Sequence, residues 1–370
     1  MKKILFSILF LFFVQSEANS KSILIKPKQL LDVRSGKMIN ADILIESGVI
    51  KEVSRNIPVL IEYEIIELPD TTILPGLMDA HVHLTGNTDL KGHEGISESS
   101  YLATIYGVKN AKQTLLSGFT TVRNVGASNY SDVALRDGIE QKAILGPTLL
   151  VSGPPLGITG GHCDSNILPA EYEYKAQGVA DGPWEVRRKV RENKKYGVDL
   201  IKYCATGGVM SKGTNVNNRQ YTLDEMKAIV DEAHTLGMKV AAHAHGLDGI
   251  RMAIDAGVDS VEHSSLIDQE TVNLAISNNV FLSMDIYVSD YILGEGAKNG
   301  IPEYSLEKER IVGKKQRENF KMAVESGAKM VFGTDAGIYP HGKNARQFKY
   351  MVDWGMTSIE AIQASTINTA

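Results

Sequence analysis

The pattern of apolar and polar positions changes near residue 70. Between residues 21 and 70, short β-branched runs such as SILIKPKQLLDV and ADILIESGVIKEVS are interrupted by glycine, proline and asparagine, which predicts a small β domain. From residue 71 onward, short apolar strands alternate with helical segments of about 12 to 20 residues, a pattern typical of βα units in a parallel sheet. The patterning therefore predicts an α/β chain with a separate N-terminal group of strands.

We predict eight βα units after residue 71. One helix is especially clear, because Thr222 and Glu225 have the spacing of a capping box and Gly237 stands at its end. Eight units in about 290 residues favour a TIM (β/α)8 barrel over an open, doubly wound sheet. The N-terminal strands would form a small β-sandwich-like domain. The predicted barrel strands are 73–83, 120–124, 148–152, 200–204, 239–243, 260–263, 280–284 and 330–335.

Composition narrows the possible functions. Of the 370 residues, 43% are hydrophobic and 22% are charged, which is enough apolar material for a large core. The 39 Lys and Arg residues and the 44 Asp and Glu residues give a formal net charge of −5. The sequence contains no block of Lys and Arg residues that would indicate nucleic-acid binding, so a small-molecule partner is expected. Cys163 and Cys204 leave at most one disulfide, and a structural role is favoured for both.

The first 20 residues have the pattern of a secretory signal peptide. Lys2 and Lys3 precede an apolar run at 4–14, and Ala18 and Ser20 provide small residues for a cleavage site. The run is much shorter than the roughly 20 residues that span a bilayer. We therefore expect a periplasmic or secreted protein without stable membrane insertion.

Polar side chains stand at the predicted carboxyl ends of five barrel strands. His81 and His83 lie two positions apart, so they share one face of their strand. Catalytic groups of a TIM barrel lie at this end. Any one of these residues could be a rim residue or a helix cap, but five strands together favour a metal site. The candidate ligands are His81, His83, Lys202, His243, His263 and Asp335.

This ordered set resembles the binuclear metal site of the amidohydrolase superfamily. The segments PGLMDAHVH, GFTTVRNVG, GITGGHCD, IKYCATGGVMS, VAAHAHG and FGTDAGI are similar to its imidazolonepropionase-like branch. That branch includes Xaa-Pro dipeptidases and zinc-dependent carboxypeptidases that act on C-terminal Arg or Lys. The resemblance implies two divalent metal ions per chain, expected to be zinc. It places one on His81, His83 and Asp335 and the other on His243 and His263, with a carboxylated Lys202 bridging both.

The resemblance also implies roles for individual residues. A water activated by the metals would be the nucleophile, and Asp335 would accept its proton and deliver it to the leaving amine. His162 is a candidate for polarising the substrate carbonyl, although it could be a solvent-facing loop residue. His245 would contact substrate or line the mouth of the barrel. Asp285 is a candidate partner for a basic substrate side chain, although it could also cap or solvate its loop.

We therefore predict a binuclear-metal hydrolase that cleaves the peptide or N-acyl amide bond to a C-terminal amino acid, with Arg or Lys preferred. A Xaa-Pro dipeptidase is the alternative, and a phosphotriester or lactam hydrolase is a more remote one. Family members continue past the barrel and complete the β domain, whereas this chain stops in SIEAIQASTINTA. An exposed sheet edge and a homo-oligomer are expected in consequence. Three further histidines, His93, His234 and His341, are interpreted as surface residues.

Overall fold

The computed structural model describes residues 22–90 and 94–370. The predicted signal peptide and His93 lie outside the described residues. The chain divides into two compact units, with the boundary between Pro75 and Gly76. Among the described helices, none is both long enough and apolar enough to cross a membrane.

The first unit contains one five-stranded sheet. Its strands are β1 (Ile23–Asp32), β2 (Lys37–Ile39), β3 (Asp42–Glu46), β4 (Val49–Ser54) and β5 (Glu64–Ile73). Strand β1 pairs antiparallel with β2 and β3 and parallel with β5, and β4 extends the sheet beyond β3. Strands β4 and β5 are mostly exposed. Because no second layer covers them within residues 22–75, the described part of this unit is a single sheet and not the predicted sandwich.

The second unit contains eight parallel strands. They are β6 (Leu77–Val82), β7 (Phe119–Asn124), β8 (Thr148–Val151), β9 (Leu200–Cys204), β10 (Lys239–Ala244), β11 (Ser260–His263), β12 (Phe281–Ser283) and β13 (Met330–Val331). Strands β6 to β8 pair in sequence order, as do β9 to β13. Single parallel bridges join the two sets, from Leu156 to Tyr203 and from Val82 to Ala336. The pairings therefore close into a ring.

At least one helix separates each pair of successive strands in the ring. The capping box predicted for one of these helices is present, since Thr222 and Glu225 each bond the other's backbone N–H. The helices are α1 (Glu94–Ser97), α2 (Ser100–Leu116), α3 (Ser131–Glu140), α4 (Pro183–Lys195), α5 (Leu223–Thr235), α6 (Leu247–Ala256), α7 (Gln269–Ser277), α8 (Val288–Tyr291), α9 (Glu303–Glu325), α10 (Arg346–Asp353) and α11 (Ser358–Ala364).

The first and last strands of the ring are shorter than predicted. Strand β6 begins at Leu77 and not at residue 73, because Pro75 and Gly76 follow the end of β5 and interrupt the apolar run. Strand β13 ends at Val331, four residues before the predicted end. The backbone N–H of Asp335 still bonds the carbonyl of His81, so this irregular segment stays beside β6 and carries Asp335 to the rim.

Candidate metal centre

The carboxyl ends of the strands bring the predicted site residues to one cavity of about 300 Å³. His263 and Asp335 reach it through unusual backbone, with φ values of 69° and 56°. Few non-glycine residues adopt this left-handed conformation, and those that do are enriched at functional sites. The lining includes His81, His83, His162, Lys202, His243, His245, His263, Asp285 and Asp335.

Asp335 lies close to two histidines, His81 on β6 and His83 in the loop that follows β6. Its Oδ1 is 3.4 Å from Nε2 of His81 and 3.2 Å from Nε2 of His83. Burial alone would raise the pKa of the Asp335 carboxyl, but hydrogen bonds from both imidazoles hold it well below the usual value. Ligand atoms of His81, His263 and Asp335 lie within 4.8 Å of one another, which is close enough to hold one cation.

A second group of possible ligands comprises His243, His245 and His263, again with ligand atoms within 4.8 Å of one another. The rings of His245 and His263 stack with centroids 4.7 Å apart. Burial, followed by the neighbouring imidazoles, lowers the pKa of His243 and of His245 well below the usual value. Neutral imidazoles bind metal ions, so His245, predicted to contact substrate, is equally placed to be a ligand.

Two candidate ligands, His81 and His263, each have a buried carboxylate next to Nδ1, the ring nitrogen that faces away from the cavity. Glu262 Oε2 lies 2.9 Å from Nδ1 of His81, and its Oε1 accepts a 2.6 Å hydrogen bond from Arg123. Burial would raise the pKa of Glu262, but Arg123 and His81 keep it well below the usual value. Such a partner fixes the tautomer and orientation of a ligating histidine. Glu262 and Arg123 were not predicted from the sequence.

Asp285 has the corresponding position behind His263. Its Oδ1 lies 2.9 Å from Nδ1 of His263 and accepts a 2.9 Å hydrogen bond from Gln316. Only 2% of Asp285 is exposed. These contacts argue against the predicted role as partner of a basic substrate side chain, because the carboxylate is already occupied in orienting an imidazole.

Lys202, on β9, lines the same cavity and is almost fully buried. Burial is the main cause that lowers the pKa of its ammonium to about 8, although the charges of Glu262 and Asp335 act in the opposite direction. A buried lysine with a depressed pKa has a larger neutral fraction at physiological pH, and only the neutral amine can add carbon dioxide.

His162 stands in the loop between β8 and α4, held from three directions. Its Nδ1 is 2.9 Å from Ser211 Oγ, and its backbone N–H bonds Gln220. Its ring packs against Gly208, where a Cβ would lie only 2.3 Å from the ring. The adjacent Cys163 forms a disulfide with Cys204, at the end of β9. Burial is the main cause that lowers the pKa of His162 to about 3, so the ring is neutral at pH 7.

A sequence model of the amidohydrolase family matches residues 72–370. The chain belongs to the amidohydrolase family. This confirms the resemblance drawn from the strand-end motifs.

The similar proteins of this amidohydrolase include an ochratoxinase, a Xaa-Pro dipeptidase and a prolidase. It is 32% identical over 316 residues to an ochratoxinase of Aspergillus niger, a match that covers 80% of this chain and 64% of the relative. Its structure is similar to that of a Xaa-Pro dipeptidase with bound methionine in the active site, at 37% identity and a TM-score of 0.89, with 94% of this chain and 88% of the other covered. A prolidase complexed with N-methylphosphonate-L-proline gives 29% identity and a TM-score of 0.86, with 94% and 86% covered.

The donor set of this amidohydrolase fits divalent metal ions. The two ligand groups overlap at His263, so the candidate ligands form one continuous cluster. Imidazole and carboxylate donors suit zinc and related metals. The outer nitrogens of His81 and His263 are held by carboxylates, which leaves their Nε2 atoms to face the cavity, as metal ligands require.

The surface prediction for His341 is wrong. His341 is 5% exposed, and its ring bridges Thr114 of α2, at 3.1 Å, and the carbonyl of His83, at 3.2 Å. It therefore supports the backbone that carries a candidate ligand. His234 does lie at the surface, where its Nε2 is 2.8 Å from Asp259.

Proposed function

We propose that this amidohydrolase is a binuclear-metal hydrolase that cleaves the peptide or N-acyl amide bond to a C-terminal amino acid. The observation that supports it most strongly is the continuous cluster of candidate ligands, in which histidines from three strands lie with Asp335 and Lys202 in the same cavity. The ring of eight strands would be a (β/α)8 barrel, with residues 21–70 as the small β domain. The similarity to a Xaa-Pro dipeptidase agrees with a peptide substrate.

In this proposal His81, His83, His243, His263 and Asp335 would hold two metal ions, expected to be zinc, and a carboxylated Lys202 would supply further oxygen ligands. Bound metals would polarise the substrate carbonyl and lower the pKa of a water.

The protein's own groups would move the protons. The ionised Asp335 would take a proton from the attacking water and return it to the leaving amine. In the tautomer of His162 that accepts from Ser211 at Nδ1, the ring proton is on Nε2. That proton would bond the substrate carbonyl oxygen as negative charge develops. The neutral state of His162 suits this role, because it retains only the proton that the carbonyl needs.

A Xaa-Pro dipeptidase activity is the second candidate. Two similar structures, a Xaa-Pro dipeptidase and a prolidase with a proline analogue, favour it. It uses the same metal centre and differs only in the side chain that the cavity accepts.

The deciding experiment is a screen of dipeptides and N-acyl amino acids with the full-length, metal-loaded protein. Released amino acid is measured for substrates ending in Arg, Lys, Pro, Leu and Met, with Lys202→Ala as the inactive control. Hydrolysis of this class supports the proposal, and the preferred terminal residue separates the two candidates. Turnover of a phosphotriester or lactam without release of any amino acid would contradict it.

Export also belongs to the proposal. The signal-like residues 1–20 and the disulfide between Cys163 and Cys204 agree with an oxidising compartment, because disulfides persist there and are rare in the cytosol. Association into a homo-oligomer stays a prediction.

A further inference from the structure

Glu309, on α9, is a buried carboxyl that the proposed mechanism does not use. It lines the same cavity as the candidate metal ligands, and only 3% of it is exposed. Its Oε1 accepts a hydrogen bond from Ser289 of α8. Gly313, one turn further along α9, makes room for both groups: a Cβ there would lie 2.7 Å from Glu309 Oε1 and 2.5 Å from Ser289 Oγ. The carboxyl is thus placed by close packing of two helices.

Within the described part of the chain, no basic side chain forms an ion pair with Glu309. Three basic side chains line a second pocket that Glu309 also borders, so an ion-pair partner for Glu309 would be expected there. Each is paired with another acid: Arg310 with Glu303 at 2.7 Å, Lys314 with Glu318 at 3.8 Å, and Arg317 with Asp290 at 2.6 Å. Glu309 therefore has no ion-pair partner among the described residues.

Burial without a counter-ion has an energetic consequence. It is the main cause that raises the pKa of Glu309 to about 8, and the charges of Asp285 and Asp335 act in the same direction. A cation arriving beside this carboxyl would favour its ionised form and would gain a charge-assisted hydrogen bond in a water-poor setting.

The cavity wall next to Glu309 is aliphatic. Val312 follows Glu309 by three positions on the same face of α9, and Val288 and Ile292 come from α8 and the turn after it. All three are at least 95% buried. An aliphatic wall with one carboxyl suits the methylene stem and terminal cation of Lys or Arg, and a carboxylate can bond a guanidinium through both oxygens.

We propose that Glu309 is the acidic end of a subsite for the side chain of a basic C-terminal residue, Arg or Lys, of the substrate. The inference rests on the proposed function. It assigns recognition of the substrate's positive charge to Glu309 of α9 and not to Asp285, because the Asp285 carboxylate already contacts His263 and Gln316.

Binding of L-arginine and of L-citrulline to the full-length, metal-loaded protein tests the subsite, because citrulline is a nearly isosteric, uncharged analogue. The variants are Glu309→Gln, which keeps a partner for Ser289, Glu309→Asp, which keeps the charge, and the control Glu307→Gln, an exposed position on the same helix. Calorimetry should show that the wild type and Glu307→Gln bind arginine about tenfold or more tightly than citrulline, as expected for a charge-assisted pair. Glu309→Gln should bind both equally, and Glu309→Asp should retain part of the preference.

A wild type that binds both ligands equally, or binds neither, would overturn the subsite, as would a Glu309→Gln variant that keeps the preference. If Glu309→Gln does not fold, the wild-type ratio and the partial preference of Glu309→Asp decide. The proposed function fails separately, if the wild type hydrolyses no peptide or N-acyl amino acid, because the binding comparison does not depend on turnover.

Discussion

Glu262 lies between a cation and a candidate metal ligand, with Oε1 2.6 Å from Nη2 of Arg123 and Oε2 2.9 Å from Nδ1 of His81. The opposite side of the site has a different arrangement, since a neutral Gln316 supports the Asp285 carboxylate behind its histidine. Glu262 therefore has a cationic partner behind its histidine, whereas the partner of Asp285 is an uncharged amide. The two supports should affect metal binding unequally.

Replacing Glu262 with Gln should lower metal affinity about 10- to 100-fold, because loss of a carboxylate behind a ligating histidine typically has that effect. Competition with a chelator measures the affinity, and circular dichroism checks the fold. The control is Glu232→Gln, which removes a carboxylate held by Arg187 and Arg191 outside the cavity. Equal metal affinity in the wild type and Glu262→Gln would contradict the role of Glu262.

If Lys202 carries the proposed carbamate, Lys202→Ala should lose one or both metal ions and turnover. Elemental analysis should find about two ions per chain in the wild type and fewer in the variant. A short carboxylate such as propionate, added in excess, should restore part of the metal content, because it can supply two oxygens to the space left by the side chain. A variant with full metal content and full turnover would show that no carboxylated lysine is needed.

His162→Asn should reduce kcat by about 10² or more, because removal of one donor to a developing oxyanion typically has this effect. Metal content should stay unchanged. Asp335→Asn is the useful contrast, since it should affect both metal content and turnover. Metal loss in His162→Asn would instead identify His162 as a ligand.

Glu309 should make stability depend on pH. Its pKa is raised from the usual 4.5 to about 8, chiefly by burial, while the nearby charge of Arg317 opposes the shift and those of Asp285 and Asp335 support it. Between these two pH values the folded state holds one proton more than the unfolded state. Stability is therefore lost as pH rises through this window, by at most about 1.4 kcal/mol per pH unit for one proton.

Glu309→Gln should remove this dependence, so its free energy of unfolding relative to that of the wild type should increase as the pH rises from 4.5 to about 8. Urea unfolding at four pH values, with Glu307→Gln as control, measures it. A constant difference across the window would mean that the buried carboxyl does not change its protonation on unfolding.

Removal of the Cys163–Cys204 disulfide should affect both stability and turnover. The bond spans 41 residues of sequence and holds the loop of His162 against the end of β9. Losing such a bridge typically costs about 2 to 4 kcal/mol. The double variant Cys163→Ser, Cys204→Ser should therefore unfold at lower urea concentration and show a lower kcat. Unchanged values for both would show that packing around Gly208 and Ser211 is sufficient to place the loop.

The candidate ligands could be read from the sequence because apolar strands followed by polar residues are local patterns. His81 and His83 stand two positions apart, at the end of β6 and just after it, and both line the cavity. The carboxylate partner of His81 could not be read in this way, because Glu262 and His263 are consecutive and alternation would place only one of them inside the ring. The Glu262 side chain points inside the ring. The next residue, His263, has left-handed backbone with φ of 69°, which lets its side chain turn inward as well.

Other errors arose where residues distant in sequence meet. Gln316 lies 31 positions from Asp285, and only their contact shows that the aspartate orients an imidazole. His341 follows no periodic pattern, and its burial depends on Thr114, which is 227 positions away. Contacts of this kind depend on how the helices close over the strands, which composition and spacing do not specify.

Helix α9 combines three tasks. Lys308 bonds the carbonyls of Gly208 and Ser211 in the loop that packs on His162, Glu309 borders the cavity, and Gln316 supports the aspartate behind His263. Because all three residues lie on one helix, a shift of that helix would change the three contacts together. Exchange of this helix between relatives would transfer substrate preference together with changes in metal affinity, and attempts to redesign selectivity there should monitor both.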